Sequence, residues 1–202
     1  MGVQERKTRE RAALRKKIIQ SANKLFLKKG YEGTSIRLIA QDIEYSPATI
    51  YLYFKDKNEL FRAILDNAFK VFLEHLAATK IIADPLSRLR ELCRQYLKYA
   101  KDYPAFYDLI FISTQWTEGE EASAKRYSGE TFEVFVNTLN DCRKNGYFIS
   151  KVPVNFALII WSFIHGLASL LVKDRLSHLD GTHNISMLDQ AINEFFNTLE
   201  RA

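Results

Sequence analysis

The chain has 202 residues, 47% hydrophobic, 13% aromatic and 26% charged; this supplies a sizeable core and leaves disorder expected only in the N-terminal tail. The net charge of +5 is unevenly placed: residues 1–60 carry 13 Lys/Arg against 7 Asp/Glu, and the remainder carries 16 against 17. All the positive excess thus lies in the first part, which points to an anionic partner, either nucleic acid or a lipid surface.

Helical periodicity runs along the whole chain and no stretch alternates with a period of two. The expected fold class is all-α, with about nine helices. Met1 to Arg11 is too charged for a signal peptide. A first helix carries Leu14, Ile18, Ala22, Leu25 and Phe26 on one face, has Lys28 and Lys29 in its last turn, and stops at Gly30. Thr34 or Ser35 caps a short second helix bearing Ile36, Ile39, Ala40 and Ile43. Ser46-Pro47 opens a third, with serine as N-cap and proline in the first turn, and Ile50 and Phe54 as its inward pair. Asp56-Lys57-Asn58-Glu59 reads as a capping box for a fourth helix reaching about Thr79. Further on, Asp84-Pro85 starts a helix, Arg143 to Gly146 ends one, Pro153 opens a long apolar one to about Lys173, and Ser186 to Leu199 forms the last. The organisation expected is a three-helix helix-turn-helix domain over residues 1–58 and a larger helical bundle over 59–202.

The stretch Thr34 to Leu60, TSIRLIAQDIEYSPATIYLYFKDKNEL, places two short helices around a tight turn. Such a unit lays its second helix in the major groove while the first crosses the backbone. Pro47, Ala48 and Thr49 are small enough for close approach, and no charged residue occurs from Ser46 to Phe54. Thr49 can bond a base edge or touch a thymine methyl. Tyr51 and Tyr53 can donate to phosphate oxygens. The cations Arg9, Arg11, Arg15, Lys16 and Lys17 add sequence-independent attraction.

From Lys16 to Leu65 the order F-x-x-K-G-Y, T-S-I-R-x-I-A, S-x-x-T-I-Y-x-Y-F-x-x-K-x-E-L resembles the DNA-binding domain of TetR-type regulators. The resemblance implies DNA contacts from Ser35 and Arg37 on the second helix and from Ser46, Pro47, Ala48, Thr49, Tyr51 and Leu52 around the recognition helix. It implies phosphate contacts from Tyr53, at a position usually histidine, and from Lys57. The chain departs from the family in the turn, where Glu44-Tyr45 stands in place of Gly-Val. A positive φ at Glu44 would cost about 1 kcal/mol relative to glycine.

The C-terminal part shows no catalytic or metal-binding pattern. Its histidines are scattered, and H-E-x-x-H, G-x-S-x-G and Gly-rich phosphate loops do not occur. Cys93 and Cys142 stand far apart with no zinc-like spacing, which fits a reducing cytoplasm. The apolar run Ala157 to Val172 is shorter than the ~20 residues of a membrane span and reads as a helix buried on more than one side. Gly166 within it is expected to admit the close approach of another helix. Many aromatics cluster here. Tyr96, Tyr99, Tyr103, Phe106, Tyr107, Phe111, Trp116, Phe132, Phe135, Trp161 and His165 are candidates to line an apolar cavity. Pro104 to Phe111 and Trp161-x-x-x-His165-Gly166 resemble a WHG-type C-terminal domain of TetR regulators.

That resemblance implies a small-molecule effector and dimerisation through the last two long helices. The expected protein is a cytoplasmic, sequence-specific transcriptional regulator without catalysis, metal or cofactor. It is a homodimer on double-stranded DNA, a repressor released from a pseudopalindromic operator by a small apolar or aromatic effector, with no membrane partner. An architectural DNA binder without an effector is the alternative. A ligand-processing enzyme would need a titratable pair converging on the cavity, and a membrane-surface protein would need a bulkier apolar first helix.

Overall fold

The computed structural model describes residues 2–112, 118–177 and 185–200. Among these residues the only regular elements are helices: α1 (Val3–Lys29), α2 (Ile36–Asp42), α3 (Pro47–Tyr51), α4 (Lys57–Ala77), α5 (Pro85–Asp102), α6 (Pro104–Tyr107), α7 (Glu118–Lys144), α8 (Pro153–Val172) and α9 (Ile185–Glu200). A 3-10 turn, Ala78–Ile81, follows α4, and a π-helical turn, Asp108–Ile112, follows α6. The all-α expectation holds.

Most helix starts follow from local chemistry. Asp84 accepts from the Ser87 N–H at 2.8 Å ahead of Pro85, and Ser46 accepts from the Thr49 N–H at 3.2 Å ahead of Pro47. Each cap satisfies a donor the helix itself leaves orphaned. At the end of α1, Gly30 takes φ 72° and its N–H returns to the Phe26 carbonyl at 2.8 Å. The expectation of a disordered N-terminal tail is corrected: from Val3 onward the tail is the first part of α1. Its polar residues pair along the helix, as in Arg6 with Glu10 at i, i+4.

The chain divides into two compact units, Met1–Asn67 and Ala68–Ala202, and the division falls inside α4. In the first unit Ile18, Ala22, Ile39, Ile50, Phe54 and Leu60 are fully buried. Phe61 of α4 packs edge-on against Phe26 and Tyr31, at 5.2 and 4.9 Å between ring centres. The opening turns of α4 therefore belong to this core, and the division lies past residue 58.

In the second unit α5 is central and packs against α6, α7, α8 and α9. Arg88 on α5 pairs with Asp141 on α7 at 2.9 Å. Arg94 on α5 pairs with Asp189 on α9 and donates to Asn193 at 2.8 Å. Phe163 of α8 stacks on Phe195 of α9 with 3.9 Å between centres.

Two expectations about α8 need correction. It spans 20 residues and has the length and composition of a membrane span, more than the apolar run alone suggested. It is also buried on one side only. Phe156, Ala157, Ile160, Ile164 and Ala168 are covered, whereas Leu158, Ile159 and Leu170 are 54%, 53% and 42% exposed. Gly166 lies on that open side, and a Cβ added there would meet nothing within 4 Å. No neighbour among the described residues accounts for the glycine.

Candidate nucleic-acid interface and a second, aromatic site

The turn between α2 and α3 departs most from expectation in composition, yet it is fully formed. Glu44 adopts φ 62°. Its N–H bonds the Gln41 carbonyl at 3.2 Å, and the Tyr45 N–H bonds the Ala40 carbonyl at 2.9 Å. These two bonds make a Schellman ending with glutamate where glycine is usual. Ile43 stays buried beneath it.

Three residues of α1 brace this turn. Lys17 Nζ donates to the Ile43 carbonyl at 3.2 Å and lies 5.3 Å from the centre of the Tyr45 ring. Ser21 Oγ and Lys24 Nζ both donate to the Asp42 carboxylate at 2.8 Å. Lys24, and then Ser21, hold the Asp42 carboxyl below its usual range. Positions 17, 21 and 24 share one face of α1 at i, i+4 and i+7, so a polar stripe beside the apolar one sets how α2 enters the turn.

The family-implied contact residues all fall in the first unit, exposed or half-buried. Ser35 caps α2 by accepting from the Leu38 N–H at 3.2 Å, and Arg37, two residues on, is exposed. Ser46, Pro47 and Ala48 are exposed at the start of α3; Thr49 is half-buried, its hydroxyl 3.0 Å from that of Ser46. Tyr51 and Leu52 project at 53% and 74% exposure, while Ile50 between them and Thr49 is buried. Tyr53 is half-buried, with the Arg11 guanidinium 5.9 Å from its ring centre.

Lys57 at the start of α4 lies over the Tyr31 ring, its Nζ 3.8 Å from the centre. The Tyr31 hydroxyl is tied to Asn58 Oδ1. Asp56 Oδ1 accepts from the Glu59 N–H at 2.7 Å, and the Glu59 carboxylate reaches back to the Lys55 N–H. The helix terminus and its lysine are thereby held in place together. Tyr31 was not among the sequence candidates; the aromatic after Gly30, 26 residues before Lys57, was its only signal.

In the second unit five of the cavity candidates converge. Tyr107 Oη lies 2.7 Å from His165 Nδ1, and Tyr96 Oη 3.1 Å from the same nitrogen. Trp161 Nε1 donates to Tyr96 Oη at 3.3 Å. The Phe111 ring lies 5.7, 5.1 and 5.7 Å from those of Tyr96, Tyr107 and His165. Phe132 joins the edge, 5.7 Å from Trp161. Burial pushes the Tyr96 hydroxyl well above its ordinary range and the Tyr107 hydroxyl up to about 12. Burial also lowers the pKa of His165, so the neutral imidazole is favoured.

The other candidates sit apart from this hub. Tyr99 is fully buried and its hydroxyl donates to the Ala68 carbonyl at 3.0 Å, a strap within the core. Tyr103 is at the surface, stacked between Tyr99 and Phe106 at 5.4 and 6.1 Å. Phe135 is fully buried. Trp116 lies outside the described residues.

Comparison with known proteins agrees with this architecture. Residues 18–64 match the family of bacterial regulatory proteins of the tetR type, and residues 89–195 match the tetracyclin repressor-like C-terminal domain. The HTH-type transcriptional repressor NicS of Pseudomonas putida is 26% identical over 189 residues, covering 85% of this chain and 89% of NicS. A regulator from Saccharomonospora viridis in complex with choline shares the fold, with a TM-score of 0.77 at 19% identity over 92% of this chain and 96% of that one. AibR, bound to isovaleryl coenzyme A and operator DNA, has a TM-score of 0.65 at 20% identity over 77% of this chain and 85% of that one. Helices on this plan, with these matches over both units, define a helix-turn-helix DNA-binding transcriptional regulator. The chain belongs to the TetR family.

Proposed function

We propose that the protein is a homodimeric transcriptional repressor that binds a pseudopalindromic operator and leaves it when a small apolar or aromatic effector enters the second unit. The observation that carries the DNA-binding part is the uncharged stretch Ser46 to Leu52, exposed at Ser46, Pro47, Ala48, Tyr51 and Leu52, in the same unit as the exposed Arg37. Arg37 and Thr49 read bases in this scheme. Ser35, Tyr53 and Lys57 hold phosphates, and Pro47 and Ala48 let the backbone approach.

The open side of α8 supports dimerisation. Leu158, Ile159, Ser162, Gly166 and Leu170 share one face, with the small Ser162 and Gly166 flanked by exposed apolar residues. A second copy of α8 and α9 would bury that face and explain why a Cβ at Gly166 would meet no neighbour among the described residues. Two recognition helices then lie about one DNA turn apart, roughly 34–36 Å. An effector with higher affinity for a wider spacing shifts the population away from DNA. Both cysteines are free and buried, in keeping with a cytoplasmic protein.

The test is selection of DNA from a randomised pool by the full chain, followed by footprinting. Two half-sites with dyad symmetry, protected by a dimer, are expected; an asymmetric footprint overturns the reading. One observation favours an architectural DNA binder without effector: the Phe111 ring packs against Tyr96, Tyr107 and His165, with 5.1 to 5.7 Å between centres.

A further inference from the structure

An open groove of about 620 Å³ lies in the first unit, between α1 and the residues on either side of α3. α1 contributes Lys7, Glu10, Arg11 and Lys17, and the other segment contributes Tyr45 and Tyr53. Tyr45 comes immediately before Ser46, the cap of α3, and Tyr53 two residues after Tyr51, its end. Tyr45 is also one of the two residues by which the turn departs from the family.

Two of the cations are seated on the two rings. Lys17 Nζ lies 5.3 Å from the centre of Tyr45, and the Arg11 guanidinium 5.9 Å from that of Tyr53. A ring holds a cation by its quadrupole and leaves the charge available to an anion. Among the described residues none of Lys7, Arg11 and Lys17 makes an ion pair. The carboxylate of the groove, Glu10, pairs with Arg6 at 3.5 Å. Lys17 gives one hydrogen to the Ile43 carbonyl and keeps two more. The Tyr45 and Tyr53 hydroxyls have no hydrogen-bond partner among the described residues, so each has a proton to donate.

These groups are spread along α1. Lys7 and Lys17 stand about 15 Å apart along the helix axis, more than a single phosphate can span. A strand of duplex DNA offers a phosphate every ~3.4 Å of its axis and can meet all three cations.

We propose that this groove is a second DNA-backbone contact of the unit, in which Lys7, Arg11 and Lys17, with the Tyr45 and Tyr53 hydroxyls, hold successive phosphates of one strand while α3 lies in the major groove. This rests on the reading of α3 as the recognition helix. Tyr45 then has a task of its own, positioning Lys17. The contact is blind to sequence but local: only the cations of the groove take part, in contrast to the diffuse attraction of a basic helix.

Fluorescence anisotropy of the full chain on selected duplex DNA, across a salt series, tests this. Lys16 is exposed on the same helix and does not line the groove, so Lys16→Ala removes equal charge elsewhere. Arg11→Ala is expected to weaken binding roughly three- to tenfold, on selected and unrelated duplexes alike, and to lower the salt slope by about one ion per chain. Lys16→Ala is expected to cost less. Equal losses from the two variants mean that net charge alone is at work and overturn the proposal. Tyr45→Val is expected to weaken binding roughly twofold or more, and Tyr45→Phe, which keeps the ring, to recover most of that loss. Should Arg11→Ala not fold, Lys7→Ala takes its place. Phosphate-ethylation interference is the second measurement. Arg11→Ala is expected to become insensitive to at least one phosphate whose ethylation blocks the unaltered chain, and Lys57→Ala to lose sensitivity at a different one. Identical patterns for the unaltered and Arg11→Ala chains overturn the proposal. If the groove's phosphates appear on DNA without dyad symmetry, the contact stands and the operator reading fails. If the chain selects a symmetric site and Arg11→Ala binds it as the unaltered chain does, the operator reading stands and this proposal fails.

Discussion

The Lys57 ammonium rests on the face of Tyr31, 3.8 Å from the ring centre. The ring holds the charge at the end of α4 without neutralising it, as a carboxylate would. Cation–π attraction of this kind contributes roughly 0.5–1 kcal/mol at an exposed site. Tyr31→Leu is therefore expected to weaken binding to all DNA sequences alike, by roughly two- to fivefold. Tyr31→Phe keeps the platform and is expected to stay near the unaltered value. Lys57→Ala is expected to reduce the salt slope of binding by about one ion. Fluorescence anisotropy across a salt series measures all three.

Arg37 is exposed and makes no ion pair among those seen in the described residues. Arg37→Ala is expected to cost ~1–3 kcal/mol on selected DNA and to relax preference at one base position per half-site. Repeating the selection with the variant checks this; an unchanged sequence preference removes Arg37 from the reading residues.

Glu44 occupies the left-handed region at φ 62° with its turn bonds intact. Glu44→Gly is expected to raise stability by about 0.5–1 kcal/mol, and the β-branched Glu44→Val to lower it by more. Urea unfolding followed by circular dichroism reads both. Equal midpoints for all three chains would mean the turn carries no strain.

The exposed face of α8 leads to a prediction with two signs. Ile159→Asp is expected to turn a dimer into monomers, measured by sedimentation. The added methyl of Gly166→Ala meets nothing within 4 Å among the described residues, so in an isolated chain it is expected to gain the ~1 kcal/mol helix preference of alanine. Across a close two-fold contact the same methyl group is expected to weaken the dimer. A variant that is more stable and still fully dimeric places the contact elsewhere on α8.

His165 gives the second unit a pH dependence. Its folded pKa is lowered by burial, so the unfolded chain binds more protons in the interval below the ordinary value of about 6.5. Stability contributed by the neutral imidazole is fully present above that value and is lost as pH falls through the interval. His165→Gln is expected to flatten the stability profile between about pH 7 and 5, which thermal melts at stepped pH measure.

Much of this was legible in the sequence because it is local. Ser46-Pro47, Asp84-Pro85 and Gly30 mark helix ends by chemistry within four residues, and the structure places ends there. The helices that carry the proposed DNA contacts were legible for the same reason, since all those residues lie between Ser35 and Lys57. Contacts between distant segments were not. Tyr31 meets Lys57, Lys17 meets Ile43, and the hub joins Tyr96, Tyr107 and His165 from three different elements. No periodicity encodes such pairings. The aromatic list was correspondingly coarse: Tyr99 is a core strap and Tyr103, just past the end of α5, a surface ring, although both recur at helical spacing from Tyr96. Gly166 reads as admitting a close approach, and no neighbour among the described residues makes one.

The Thr49 hydroxyl has a resting partner, the Ser46 hydroxyl 3.0 Å away. A polar group stranded against the wrong base costs ~1–3 kcal/mol, but Thr49 can fall back on Ser46 and escape that penalty. In the proposed scheme the base position that Thr49 faces is then a forgiving one, expected to drift more readily than the one read by Arg37. Binding sites for this protein are expected to vary most at the base beneath Thr49 and least at the base beneath Arg37, and the selected sequences will show whether they do.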